Sequence, residues 1–277
     1  MTDTILSVKK LCFGYGNAGQ VLKNVDLDVH RGERLAVIGS NGAGKSTLFL
    51  NLNGVLAPDT GEIFLNGKRI GKKDITELRR NVGIVFQDAD SQMIASTVYA
   101  EVSFGPMNLR LPKEEVRERT MKAMEYMNIT HLKDRPPHYL SGGEKKCVSI
   151  ADIIAMDPDI IIFDEPTVGL DPVNAQILED VLDRLHGDGK TIILSTHDAD
   201  LVYRWADRAV VLNDGKIIAD SAPDSIFRND TIMRAAKLRR PAIQEIYDAL
   251  LEKALVSENI RPRSADELKA IIKSVYD

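Results

Sequence analysis

The chain has 277 residues, 44% of them hydrophobic, enough for one large domain with an appendage or two modest domains. Its net charge of −5 gives no general attraction to nucleic acid or anionic lipid, and two cysteines without a C-x-x-C argue against a disulfide framework or zinc site. No apolar run nears the ~20 residues of a membrane helix, and "MTDTILSVKK" lacks the basic-then-apolar order of a signal peptide, so a cytosolic location is expected.

The elements follow in chain order. "ILSVKKL" and "NVDLDVH" alternate apolar and polar residues, as short strands do. "RLAVIG" is a compact apolar strand running into a glycine-rich turn, and the helical "KSTLFLNLNG" follows and stops at Gly54. "GEIFLNGK" reads as a hairpin turning at Asn66-Gly67, and "VGIVFQ" as a buried strand. Residues 97–127 look helical, with interruptions expected at Gly105-Pro106 and Pro112. Strand "IIIFDE", a helix from Asp171 to about Leu185, strand "TIILSTH" and helix "DADLVYRWAD" then alternate, which signals a parallel sheet covered by helices. "RAVVLNDGKIIAD" closes this part with an Asp-Gly hairpin. From Pro241 the character changes. Ile243, Ile246, Tyr247, Leu250, Leu251 and Ala254 recur at helical spacing. "SADE" at 264–267 reads as a capping box, ahead of an apolar stripe of Leu268, Ile271, Ile272 and Val275. Such a helical hairpin suits either covering the main domain or contact between subunits.

"GSNGAGKS", residues 39–46, fits G-x-x-x-x-G-K-[ST] between an apolar strand and a helix, the context that motif requires. Glycines let backbone N–H groups converge on phosphate oxygens, and the helix dipole favours the negative charge. Gly39, Ser40, Asn41, Gly42, Ala43 and Gly44 are the expected cradle; Lys45 reaches the β- and γ-phosphates, Ser46 holds Mg²⁺ and Thr47 adds a phosphate contact. "IIIFDE" ends a strand on two carboxylates. Asp164 suits Mg²⁺, and Glu165 is placed to polarise a water attacking the γ-phosphate. His197 follows a strand expected to neighbour that one, which favours contact with the γ-phosphate or attacking water over a structural role. Gln87 ends a strand in the same way and can meet Mg²⁺ or water without adding charge; spacing alone leaves its role open. "LSGGEKK", 140–146, puts a hydroxyl and two glycines at a helix start, a second phosphate-binding pattern in one domain.

With these motifs in order, residues 4–225 resemble the ATP-binding subunit of an ABC transporter. "GSNGAGKST" looks like Walker A, "IIIFDE" like Walker B, "LSGGE" like the signature, Gln87 like the Q-loop glutamine, "VGLD" like the D-loop and His197 like the switch histidine. The resemblance implies an ABC-type P-loop ATPase of the α/β class. It has a mostly parallel sheet, an N-terminal antiparallel β subdomain, a helical signature subdomain and a C-terminal helical tail. As domains this gives a nucleotide-binding domain over 1–225, with the helical subdomain at about 88–157, and an extension over 226–277. It implies that Tyr15 stacks on adenine and that Ser141, Gly142 and Gly143 complete the site of a second ATP-binding subunit, a homodimer being chemically sufficient. ATP and Mg²⁺ are the implied cofactors.

"FQDADSQMIASTVYAEVSFGPMNL", 86–109, is similar to the energy-coupling factor (ECF) branch of importers. "DLVYRWADRAVVLNDGKIIAD" and the segments "PAIQEIYDALLEK" and "RPRSADELKAII" are most similar to its cobalt/nickel-type subunits. The implied partners are an integral membrane coupling protein and a substrate-binding membrane subunit, with no nucleic acid. The implied place is the cytoplasmic face of the cell membrane, peripherally bound. Vitamin-type subunits share the same core, and a non-transport ABC ATPase is a more distant alternative. Asp88, Asp90 and Glu101 either receive basic residues of the membrane partner or form a solvated acidic face. Two positions depart from the family pattern: Cys147, where Arg is common, and Asp152, where Gly or Arg is.

Overall fold

In the computed structural model, which describes residues 3–16, 19–88, 93–256 and 261–276 (275 and 276 by backbone only), the first alternating segments pair as long antiparallel strands. These are β1 (Thr4–Gly14) and β2 (Gln20–His30), with Val8 opposite Leu27. β4 (Thr60–Leu65) joins β1 from the other side and turns into β5 (Lys68–Arg69). Asn66 and Gly67 both take positive φ at that turn, 49° and 75°, matching the twist of a two-residue hairpin.

The second sheet holds β3 (Arg34–Ile38), β6 (Val82–Val85), β7 (Ile160–Asp164), β8 (Thr191–Ser195), β9 (Arg208–Asn213) and β10 (Lys216–Ser221). The order is β10-β9-β3-β8-β7-β6, parallel except for β10. Every residue of β6, β7 and β8 is buried, which is why they read as unbroken apolar runs rather than alternating ones. One core lies between the sheets, around Leu6, Leu27, Phe49, Ile162 and Ile193; the other lies under the helices. The C-terminal ends of four adjacent strands, β3, β8, β7 and β6, therefore open on one edge. Gly39, His197, Asp164 with Glu165, and Gln87 all follow those ends.

The helices are α1 (Lys45–Leu52), α2 (Ile75–Asn81), α3 (Val98–Asn108), α4 (Lys113–Tyr126), α5 (Gly142–Met156), α6 (Pro172–Gly187), α7 (Ala199–Trp205), α8 (Pro223–Phe227), α9 (Asp230–Ala236), α10 (Ala242–Glu252) and α11 (Ala265–Tyr276). The interruption expected at Gly105-Pro106 is absent: α3 runs through both and ends at Asn108. Pro106 sits in the last turn, where little of the ladder is lost, and Gly105 serves packing instead. A Cβ there would stand 2.5 Å from Met156 Cγ on α5. The capping box at 264–267 is half formed. Ser264 Oγ accepts the Glu267 N–H at 3.2 Å, but the Glu267 carboxylate reaches the Arg263 N–H, at 2.7 Å. α8 and α9, absent from the sequence reading, put Ile226, Phe227, Met233 and Ala236 into the main core, and α8 straddles the expected 225/226 division. α10 and α11 pack together around Tyr247, Val256 and Leu268, with Ile271 and Ile272 alongside. The side chain of Val275, like Asp90, lies outside the described residues.

Candidate functional site

β3 leads directly into the glycine-rich loop, and the loop into α1. Gly39 cannot carry a side chain, because a Cβ would meet the Leu212 carbonyl oxygen at 2.1 Å; Gly44 caps α1 at φ 106°. The loop walls a cavity of about 310 Å³ lined by Val21, residues 41–47, Gln87 and Glu165. A larger cavity of about 850 Å³ adjoins it. Gly39, Ser40, Asn41, Gln87, Glu165, Val168 and His197 line it on one side and Lys237, Leu238 and Arg239 on the other. Gln87 and Ser46 are exposed, and Thr47 is buried.

Lys45 is only 7% exposed. Its ammonium donates to the Gly39 carbonyl at 2.9 Å and lies 3.5 Å from Glu165 Oε1. A buried ammonium held by a loop carbonyl and one carboxylate is poised to exchange them for phosphate oxygens. Glu165 adopts φ 45°, a region that non-glycine residues seldom occupy and that clusters at functional sites. That turn redirects its carboxylate from the strand line into the cavity. Glu165 Oε2 lies 2.9 Å from His197 Nδ1. A carboxylate only accepts, so the ring proton sits on Nδ1 and Nε2 is left for a ligand or water.

Ser195, which the sequence reading passed over, organises both carboxylates. It is fully buried. Its hydroxyl donates to Asp164 Oδ1 at 2.5 Å and accepts the Glu165 N–H at 2.9 Å. The only sequence signal for it was a serine at the end of a strand expected beside β7. Lys146 was missed as well. Its ammonium is buried and donates to the carbonyls of Phe86 and Gln87, both at 3.0 Å, tying α5 to the loop that carries Gln87. Burial lowers its pKa, while Asp164 and Asp88 oppose that shift.

The structure brings the loop, Gln87, Asp164, Glu165 and His197 together. Tyr15 is half-exposed next to them, its hydroxyl 3.4 Å from Thr47 Oγ1. Ser141, Gly142 and Gly143 line neither cavity. Ser141 instead caps α5: its N–H and its hydroxyl both donate to Glu144 Oε2 at 2.8 Å, and its oxygen accepts the Glu144 N–H. Those two hydrogen bonds hold the Glu144 carboxyl below its ordinary range. Gly143 packs on Asn174 of α6, where a Cβ would stand 3.2 Å from the amide.

The ABC transporter family profile matches residues 22–168. Among curated relatives, the energy-coupling factor transporter ATP-binding protein EcfA of Methanocaldococcus jannaschii is 46% identical over 251 residues, 90% of each chain. EcfA2 of Methanospirillum hungatei is 41% identical over 273 residues, 98% of this chain and 69% of that one. Among solved structures, cbiO1 of Clostridium perfringens, described as part of the ABC transporter complex cbiONQ, aligns with TM-score 0.74 and 41% identity over 89% of this chain and 99% of that one. A dimeric ATP-binding cassette in a post-hydrolysis state, bound to ADP and Pi, aligns with TM-score 0.70 and 27% identity, covering 79% of this chain and 99% of the other.

Proposed function

This chain belongs to the ABC transporter family, as an ATPase of the energy-coupling factor type, and we propose that it drives import of cobalt or nickel ions. One observation carries the ATPase mechanism: four adjacent strand ends bring a phosphate cradle, Gln87, Glu165 and a histidine to one cavity system, with the buried Asp164 directly preceding Glu165. Residues 39–44 hold the phosphates with Lys45 and Thr47, and Tyr15 flanks the adenine. Ser46 and Asp164, with Gln87, would hold Mg²⁺, which would supply charge neutralisation at the phosphates. Glu165 accepts the proton of the attacking water, and His197, held by Glu165 through its Nδ1–H, positions that water through the acceptor Nε2. Lys45 leaves Glu165 for the γ-phosphate, which frees the carboxylate to act as a base.

Ser141, Gly142 and Gly143 line neither cavity at their own chain's phosphate loop, so their phosphate role needs a second ATP-binding subunit, packed head to tail in a homodimer. The Gln87 loop and α3 face an integral membrane coupling protein that works with a substrate-binding membrane subunit at the cytoplasmic membrane face. Glu101, Phe104 and Asp152, with Ile94, Ile153 and Met156, line a groove of about 380 Å³ suited to a largely apolar segment of that protein. No helix among the described residues is long and apolar enough to cross a membrane. The metal reading rests on the "DLVYRWADRAVVLNDGKIIAD" and tail segments together with the likeness to cbiO1 of the cbiONQ complex over the same length. Vitamin import is the reading it must be tested against. Glu165→Gln should bind ATP, hydrolyse it at least 100-fold more slowly and accumulate as a nucleotide-bound dimer; near-normal turnover would remove Glu165 as the base. Purification from native membranes with identification of the co-purifying substrate subunit separates metal from vitamin.

A further inference from the structure

We propose that the larger cavity is an anion subsite completed by the C-terminal segment, and that it takes a phosphate group on the γ side of the nucleotide. This rests on the ATP-binding reading above. The cavity shares Asn41, Gln87 and Glu165 with the phosphate cradle, so the two spaces are continuous. Its far wall is Lys237, Leu238 and Arg239, from "KLRRP" between α9 and α10, outside every nucleotide motif.

That wall is held in place. The Leu238 N–H donates to the Met233 carbonyl at 2.9 Å, and the Leu238 side chain packs on the main core. Arg240 pairs with Asp230 at 2.7 Å, Pro241 is buried, and the Ala242 N–H donates to Asp200 Oδ1 at 2.7 Å. Asp200 lies three residues beyond His197, so the short helix α7 links the histidine to the C-terminal segment. Lys237 adopts φ 53°, a left-handed conformation that residues with a Cβ seldom take. Tight anchoring around a strained residue presents its side chain from a defined point.

The charges at this wall are unspent. Arg228, Arg234 and Arg240 nearby are engaged by Asp224, the Asp230 carbonyl and Asp230. The side chains of Lys237 and Arg239 are exposed and have no hydrogen bond or ion pair among the described residues. They line a cavity whose one carboxylate among the described residues is Glu165, itself shared with Lys45 and His197. Two exposed cations, without a partner among the described residues and beside the γ end of a phosphate cradle, suit a phosphate dianion, the lysine as a point charge and the arginine as a two-pronged donor. The phosphate is either the γ-phosphate of bound ATP or the inorganic phosphate freed by hydrolysis.

The test uses the full chain, a K237A/R239A variant and the charge-preserving K237R/R239K. Calorimetry gives Kd for Mg-ATP and Mg-ADP, and equilibrium dialysis gives Kd for labelled orthophosphate on ADP-loaded protein. If the subsite holds the γ-phosphate, K237A/R239A weakens ATP at least about 10-fold with ADP unchanged. If it holds released phosphate, both nucleotides are unchanged and orthophosphate weakens by about the same factor. In either case K237R/R239K, which keeps both charges but moves the two-pronged donor, recovers only part of the loss. All three ligands within twofold of wild type, or ADP weakened as much as ATP, would overturn the proposal. Wild-type protein that binds no nucleotide would overturn the ATP reading itself and the subsite with it, a result distinct from a loss confined to the variant.

Discussion

Asp152 places a titration inside the stability of this protein. It sits on α5 against α3, with Oδ1 buried and without a hydrogen-bond partner among the described residues. Burial, then the nearby Glu101, raises its carboxyl from 3.8 to about 7. Glu101 is itself buried and accepts the N–H groups of Ile94 and Ala95, at 3.0 and 2.7 Å. The folded chain thus keeps the Asp152 proton up to about pH 7, whereas the unfolded chain releases it near 3.8. Between those values the unfolded state binds fewer protons, so stability falls as pH rises. At about 1.4 kcal/mol per unit, the whole interval amounts to on the order of 4 kcal/mol. Asp152→Asn removes the titration while keeping the shape. Urea denaturation of both proteins at pH 5, 6, 7 and 8 should show the stability difference moving in favour of D152N up to about pH 7 and levelling above it. Titrating groups that do not interact with Asp152 cancel in that difference, and any packing penalty of the amide is a constant offset. A difference independent of pH across this range would refute the reasoning.

Lys146→Met removes an ammonium whose burial penalty offsets much of its hydrogen bonding, so stability should stay within about 1 kcal/mol. With the Phe86 and Gln87 carbonyls released, amide exchange at 86–88 should quicken and turnover fall about 10-fold while ATP still binds; unchanged exchange would count against the tie. Ser195→Ala takes a charge-assisted hydrogen bond from Asp164 and should cost about 1.5–3 kcal/mol in urea denaturation. It should also raise the Mg²⁺ concentration needed for ATPase activity, and an unaltered Mg²⁺ titration would show that Asp164 needs no such support. Phe104→Asp, at the half-exposed rim of the groove by Glu101, should abolish co-purification with the membrane partner and leave ATP affinity alone. Intact assembly would move the docking surface elsewhere.

The sequence by itself determined the strands of the sheet, its tight turns and the chemistry of the cradle. Fully buried parallel strands show as apolar runs such as "IIIF", and a glycine-rich turn between strand and helix tolerates few other residues, so both are written locally. The Asn66-Gly67 and Asp214-Gly215 turns were legible for the same reason. What only the tertiary structure decided depends on which residues meet across long sequence distances. Ser195 became the partner of Asp164 because β7 and β8 lie side by side, which a lone serine after an apolar run does not announce. Gly105-Pro106 read as a break because those residues oppose helices in isolation; packing against Met156 kept α3 intact and made the missing Cβ an advantage. Lys146 looked like an ordinary polar position on α5 and Asp152 only like a departure from the family pattern; burial against the Gln87 loop and against α3 gave one a clamp and the other a shifted proton. Lys237 and Arg239 are two charges in a basic run until the fold sets them, 40 residues beyond His197, across a cavity from it. Periodicity and turn chemistry are local properties that a chain carries with it, whereas burial and the pairing of charges exist only once distant segments share the same space.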